Sequence, residues 1–248
     1  MFRIACGVMM AWLCAVGVQA AEVRVAVAAN FIAPMQKLAL SFQQETGHKV
    51  FLSLGSTGGF YAQIKHGAPF DILLAADDET PLKIEQEGLG VAGSRFTYAT
   101  GQLVLWSKQA GWIDKQGDVL RHGQFQRIAM ANPKLAPYGT AAVETLTALG
   151  LWSTVQPRLV LGDNIAQTYQ FIATENAQLG FVAMSQVSVD GKILQGSAWI
   201  VPGHLYTPIR QDAVLLAKGR DNIAALALLT FLRSEKARAV IRASGYEL

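Results

Sequence analysis

The chain has 248 residues, 51% of them hydrophobic and 16% charged, with a formal net charge of +3. That length can bury a core without covalent staples, and a near-neutral charge with no Lys/Arg run argues against a nucleic-acid partner. Both cysteines, Cys6 and Cys14, lie among the first twenty residues, so the rest of the chain holds no disulfide and no thiol nucleophile.

Those first residues read as an export signal rather than as part of the fold. Arg3 supplies a positive start, Ile4 to Val18 is almost wholly apolar, and Val18-Gln19-Ala20 fits a small-residue cleavage site. The stretch is short for a membrane span and ends in alternating, charged sequence. The expectation is a protein exported to the periplasm and cleaved before Ala21, with residues 1–20 removed. Arg3 is the one charge in that segment, which leaves the mature chain at +2.

From there strands and helices alternate. Val23 to Ala28 reads as a buried strand, and Phe31, Met35, Leu38 and Phe42 follow at helical spacing until Gly47. Val50 to Leu54 is a strand, Phe60 and Ile64 mark a helix that ends at Gly67, and Phe70 to Ala75 is a third strand. A helix over Pro81 to Glu87 stops at Gly88. The middle of the chain continues the alternation, with strands over Leu103–Trp106 and Arg127–Ala131, a helix over Thr140–Leu149, a strand over Leu159–Leu161, a helix over Ile165–Thr174 and a strand over Leu179–Ala183. Leu205 to Lys218 reads as extended, and Asn222 to Ile241 as one long helix. Repeated strand–helix units predict parallel sheets covered by helices. Two α/β lobes with crossovers near Thr97–Val104 and Leu205–Asp212 account for the order better than one large sheet.

The informative positions are the turns from strand into helix. Asn30 follows the first strand, and Gly55-Ser56-Thr57-Gly58-Gly59 follows the second. Each is expected to present free main-chain N–H groups with a side-chain cap, and such helix starts bind anions. Asn30 alone could be an ordinary N-cap and the glycine-rich turn an ordinary flexible one. Together, after consecutive strands of one sheet, they converge at the carboxyl edge where ligands of such sheets bind. The second half offers similar starts at Asn132 to Gly139 and at Gly162-Asp163-Asn164-Ile165.

Other chemistry has less support. His48, His66, His122 and His204 are scattered without metal-ligand spacing and read as surface residues. Asp77-Asp78 could be a hydrolase pair, but adjacent residues on a strand point apart, so a loop or helix cap is the better reading. There is no G-x-S-x-G, P-loop or dinucleotide fingerprint.

Val27-Ala28-Ala29-Asn30-Phe31 with Pro34-Met35, Gly55-Ser56-Thr57, and Gly67 to Asp77 resemble the periplasmic molybdate-binding proteins of ABC transporters. Asn132-Pro133 with Pro137-Tyr138-Gly139, Gly162 to Ile165, and Leu179-Gly180-Phe181-Val182 extend the resemblance in order along nearly the whole mature chain. It implies the type-II periplasmic-binding fold, two doubly wound α/β lobes joined by a two-strand hinge and closing on a tetrahedral oxyanion. Residues 21–100 plus 207–248 would form one lobe and residues 101–206 the other. Carried over, the donors to the ion are Asn30, Ser56, Thr57, Tyr138 and the main chain of Ile165. Some members place a tyrosine ligand after Gly-Ile-Val; here that position is Ala183, and Tyr138 would supply the phenol. The resemblance implies a monomer that binds molybdate, with tungstate as a further ligand, and delivers it to an ABC permease, with no cofactor, no cation ligands and no enzymatic activity. The alternatives are a binding protein for sulfate or ferric ion, or a secreted hydrolase using Ser56 or Asp77. Ferric sites want clustered tyrosines and carboxylates, and Tyr61, Tyr98, Tyr138, Tyr169, Tyr206 and Tyr246 show no adjacent pair. The hydrolase lacks a recognisable base partner.

Overall fold

The computed structural model describes residues 20–248. The expected export signal, with Cys6 and Cys14, lies outside the described residues but for Ala20. The strands are β1 (Glu22–Ala28), β2 (Lys49–Gly55), β3 (Ile72–Leu74), β4 (Phe96–Gly101), β5 (Leu103–Ser107), β6 (Ile128–Ala131), β7 (Leu159–Gly162), β8 (Leu179–Ala183), the short pair β9 (Ser188–Val189) and β10 (Lys192–Ile193), β11 (Ser197–Ile200) and β12 (Ile209–Leu215). They build two five-stranded sheets, ordered β2-β1-β3-β12-β4 and β11-β5-β8-β6-β7.

The two sheets follow one plan. Three strands run parallel, β2-β1-β3 in one and β7-β6-β8 in the other. The remaining two pair antiparallel, β12 and β4 in the first sheet, β5 and β11 in the second. The strand–helix alternation predicts parallel pairing throughout, and these strands depart from it. They are the ones by which the chain leaves one lobe and enters the other, so they arrive without a crossover helix. The chain passes between the sheets at Gly101–Leu103 and again between Ile200 and Ile209.

Each sheet is covered on both faces. Helix Ile32–Thr46 lays Met35, Leu38, Ala39 and Phe42 against the first sheet. Burying each of its larger apolar side chains is worth about 1.5–3 kcal/mol. The helix ends where Gly47 takes a φ of 72°, a left-handed conformation that glycine adopts without a Cβ penalty. The second sheet packs Leu103, Leu105, Ile128 and Phe181 into a core on one face, with Val104, Trp106 and Val182 on the other against Ile172 of the helix Ile165–Ala173. The first of these cores also takes in Ala28, Ala29, Ala76 and Ile209, so the lobes are packed against each other in this closed arrangement.

Three local expectations are corrected. The long helix expected over Asn222–Ile241 is two helices, Ile223–Leu232 and Glu235–Ala243. The break falls at Ser234, whose hydroxyl accepts from Ala237 N–H and starts a new helix. His48 is buried rather than exposed, and its Nδ1 accepts from Ala21 N–H at 3.2 Å; the other three histidines are exposed. Asn30 is not an N-cap: it sits within a short 3-10 turn, Ala29–Phe31, and Phe31 occupies the cap position of the following helix. Among the described residues no helix is long and apolar enough to cross a membrane.

Candidate functional site

Four helical starts face one another across the junction of the lobes. From the first lobe come the 3-10 turn Ala29–Phe31 and helix Thr57–Lys65. From the second come helix Pro137–Ala148 and helix Ile165–Ala173. Asn30, Ser56, Thr57, Tyr138 and Ile165 all line the small cavity between them, with Ala28, Ala29, Gly55, Ala76 and Asn164. The structure thus brings together all five residues singled out in the sequence. The space between them is about 10 Å³, near the minimum that holds one water.

The donors are neutral. The first N–H groups of each helix have no acceptor within the helix, and the aligned peptide dipoles make these ends favourable for negative charge. Proline at the first position of Pro137–Ala148 removes one such N–H and passes the role to Tyr138. Thr57 is 1% exposed, and its Oγ1 accepts from Ala76 N–H at 2.9 Å, which leaves the hydroxyl proton free to donate. Ser56 holds the cap position of its helix without a side-chain cap bond, so its hydroxyl is not spent there. Asn164 caps its helix by accepting from Ala166 and Gln167 N–H, both at 3.0 Å, which leaves the N–H of Ile165 for the cavity.

Asn30 departs from the expectation. Its Nδ2 donates to Gln211 Oε1 at 2.7 Å and to Tyr246 Oη at 3.0 Å. Both amide protons are therefore engaged inside the protein. What Asn30 offers the cavity as a donor is its main-chain N–H. Its carbonyl is held in turn by Tyr246 Oη at 2.7 Å and Ser185 Oγ at 2.9 Å. Tyr138 is 2% exposed, and its Oη accepts from Gln211 Nε2 at 3.2 Å. Burial holds the phenols of Tyr98, Tyr138 and Tyr246 above the usual tyrosine range, so each stays protonated and can donate. Gly101 runs directly behind the Gln211–Tyr138 pair, where a Cβ would overlap the phenol hydroxyl.

Sequence reasoning missed Gln211, Tyr246, Ser185 and Tyr98. Gln211 carried a signal, since it is a polar residue leading into the apolar run Ala213 to Leu216. Tyr246 carried none. At Ala183, which has no side-chain donor, the main-chain N–H donates to Gln186 Oε1 at 2.9 Å.

The lobes also touch main chain to main chain. Gly58 N–H in the first lobe donates to Leu135 O in the second at 2.9 Å. A Cβ at Gly58 would come within 3.1 Å of that oxygen.

A larger cavity of about 340 Å³ opens beside the small one, along Asp77 to Thr80 and Lys134 to Glu144. Its lining carries both signs of charge, Asp77, Asp78, Glu79 and Glu144 beside Lys134 and Arg210. The Asp77 side chain is engaged at the start of a helix. Its carboxylate accepts from Thr80 N–H at 2.8 Å and lies 3.1 Å from Thr80 Oγ1, capping the helix Glu79–Gln86. Burial pushes its pKa up to about 6 despite these bonds. A carboxyl raised in the folded state binds more protons folded than unfolded between about pH 4 and about pH 6. Its contribution to stability is therefore present at low pH and is lost as pH rises through about 6. Asp77→Asn should stabilise the protein by about 1–2 kcal/mol at neutral pH, allowing for partial exposure, and by almost nothing near pH 4. Urea unfolding at the two pH values checks this; equal gains at both would place the effect in packing rather than in charge.

Among the described residues no group of three or more His, Cys, Asp or Glu could hold a metal ion. The site is one of hydrogen-bond donors.

The profile of the bacterial extracellular solute-binding proteins matches residues 23–247. The chain is 60% identical to the molybdate-binding protein ModA of Azotobacter vinelandii over 96% of its own length and 94% of that protein's. It is 48% identical to the molybdate-binding protein ModA of Rhodobacter capsulatus, over 92% of this chain and 88% of the relative. Its fold superimposes on the solved periplasmic molybdate-binding protein of Azotobacter vinelandii with a TM-score of 0.88 at 41% identity, covering 92% of this chain and 99% of the other. Two α/β lobes meeting over a donor-lined cavity, and a profile that runs from the first strand to the C-terminus, lead to one assignment: the chain belongs to the bacterial extracellular solute-binding protein family.

Proposed function

We propose that this protein captures molybdate, and tungstate in its place, and delivers it from the periplasm to an ABC permease without catalysing a reaction. The observation that carries the reading is the convergence of four helical starts and neutral hydroxyls on one small cavity between the lobes. The names of the relatives at 60% and 48% identity agree with it. In this reading the ion takes hydrogen bonds from Asn30, Ser56 and Thr57 in the first lobe and from Tyr138 and Ile165 in the second. Residues 21–100 with 207–248 act as one lobe and residues 101–206 as the other, in a monomer.

Each hydrogen bond to a charged group is worth about 1.5–3 kcal/mol, and each helix start adds about 0.3–1 kcal/mol. Roughly six such contacts outweigh dehydration of the ion and closure of the lobes. A ring of donors prefers a dianion with no proton, because an O–H would face another donor.

Thermal melting of the mature protein against sodium molybdate, tungstate, sulfate and phosphate tests the reading. Molybdate and tungstate should raise Tm by several degrees at saturating concentration, since 100 Kd of ligand stabilises by about 2.7 kcal/mol. Sulfate and phosphate should raise it much less. An equal shift from sulfate would overturn the molybdate assignment.

A further inference from the structure

We propose that Gln211 is a positioning residue that fixes the direction in which Tyr138 offers its hydroxyl proton, and so makes that phenol a donor to the cavity. The inference rests on the reading of the cavity as a molybdate site and adds a residue that does not touch the ion.

Gln211 lies on β12, in the segment that follows the crossing from the second lobe to the first, and is 0% exposed. The register of β12 against β4 shifts between Gln211 and Asp212, an irregularity of the kind that re-aims a side chain. A carboxamide has an accepting end and a donating end, and here each has a fixed partner. Oε1 accepts from Asn30 Nδ2 at 2.7 Å and lies 3.0 Å from Tyr98 Oη. Nε2 donates to Tyr138 Oη at 3.2 Å. Turning the amide over would set its two protons against those of Asn30, leaving buried donors unsatisfied.

The consequence for Tyr138 follows from proton counting. A phenol has one proton. With its oxygen accepting from Gln211, that proton is free for the cavity that Tyr138 lines. Asn30 is fixed by the same amide, so one side chain sets the polarity of groups from both lobes. A leucine would suit a neighbourhood of Ala213, Val214 and Leu215, all buried. It could not tell the phenol which way to point.

The test uses Gln211→Glu and Gln211→Leu, titrated calorimetrically with sodium molybdate at pH 8 and pH 6, with unfolding curves to establish that each variant folds. An ionised glutamate only accepts, so it draws the Tyr138 proton away from the cavity. Gln211→Glu should bind at least tenfold more weakly than wild type at pH 8 and recover much of that loss at pH 6, where the buried carboxyl takes up a proton and can donate again. The titratable groups around it are the phenols of Tyr98, Tyr138 and Tyr246, Asp212 paired with Arg95 at 2.5 Å, and Asp77 at the edge of the larger cavity. The wild-type profile over the same range accounts for these.

Gln211→Leu should lose about tenfold at both pH values, and that loss should vanish in a Tyr138→Phe background, where there is no hydroxyl to orient. A Gln211→Glu protein with the wild-type pH profile, or a Gln211→Leu loss that persists in full beside Tyr138→Phe, would overturn the role. If Gln211→Glu does not fold, the double-mutant cycle with leucine decides alone. Failure of the wild type to bind molybdate would instead overturn the functional reading, so the two failures are distinct.

Discussion

Gly101→Ala is expected to lower molybdate affinity by about 100-fold or more while the protein still folds. Gly101 is buried at the end of β4, where the chain passes to the second lobe. A Cβ there would overlap Tyr138 Oη, lie 2.6 Å from Gln211 Nε2 and 2.9 Å from Tyr138 Cζ. One methyl group thus displaces both members of the bond behind the cavity. The binding loss combines about 1.5–3 kcal/mol from the proposed bond of the phenol to the ion with part of the strain of overpacking, about 1–3 kcal/mol. Stability should fall by a similar 1–3 kcal/mol, because the pair is enclosed and cannot relax into solvent. Calorimetric titration together with urea unfolding checks both numbers. A folded Gly101→Ala protein with wild-type affinity would show that the phenol's position does not matter to the ion.

Tyr138→Phe should weaken molybdate binding by about 1.5–3 kcal/mol, or roughly 10- to 150-fold, with little change in the shape of the cavity. The substitution removes one oxygen and keeps the ring among its buried neighbours. It also leaves Gln211 Nε2 without its acceptor, so stability should drop by about 1–3 kcal/mol. The two effects separate because affinity is read from titration and stability from unfolding without ligand. Unchanged affinity would move Tyr138 to a packing role and leave the second lobe with main-chain donors alone.

What could be read from the sequence was what is local. A buried strand followed by a polar turn and an apolar stripe at helical spacing is written within about twenty residues, and so were Asn30, Ser56, Thr57 and Ile165 as helix starts. Tyr138 is legible only through resemblance, and its place in the first turn of Pro137–Ala148 agrees with it. The side chains behind the cavity were not legible because their partners are far away in the chain: Gln211 lies 181 residues from Asn30, Tyr246 lies 216 and Ser185 lies 155. For the same reason Asn30 read as a cap. Only the arrival of β12 and the C-terminal segment shows that its amide points inward. The break at Ser234 was legible in principle, as Ser-Glu-Lys-Ala is an acceptable helix start, but the apolar stripe running through it concealed the interruption.

The bond from Gly58 N–H to Leu135 O has a kinetic and a thermodynamic meaning of its own. It joins main chain to main chain and holds no proton that titrates in water. At about 0.5–1.5 kcal/mol it shifts the open–shut equilibrium by a factor of about 2–12 whatever occupies the cavity, including nothing. It therefore tightens the grip on every oxyanion by the same ratio and ranks none of them above another. Residence time would be set partly by a door that the passenger does not hold. A substitution that loosens it would shorten the stay of wanted and unwanted ions alike, while leaving the order of preference among them untouched.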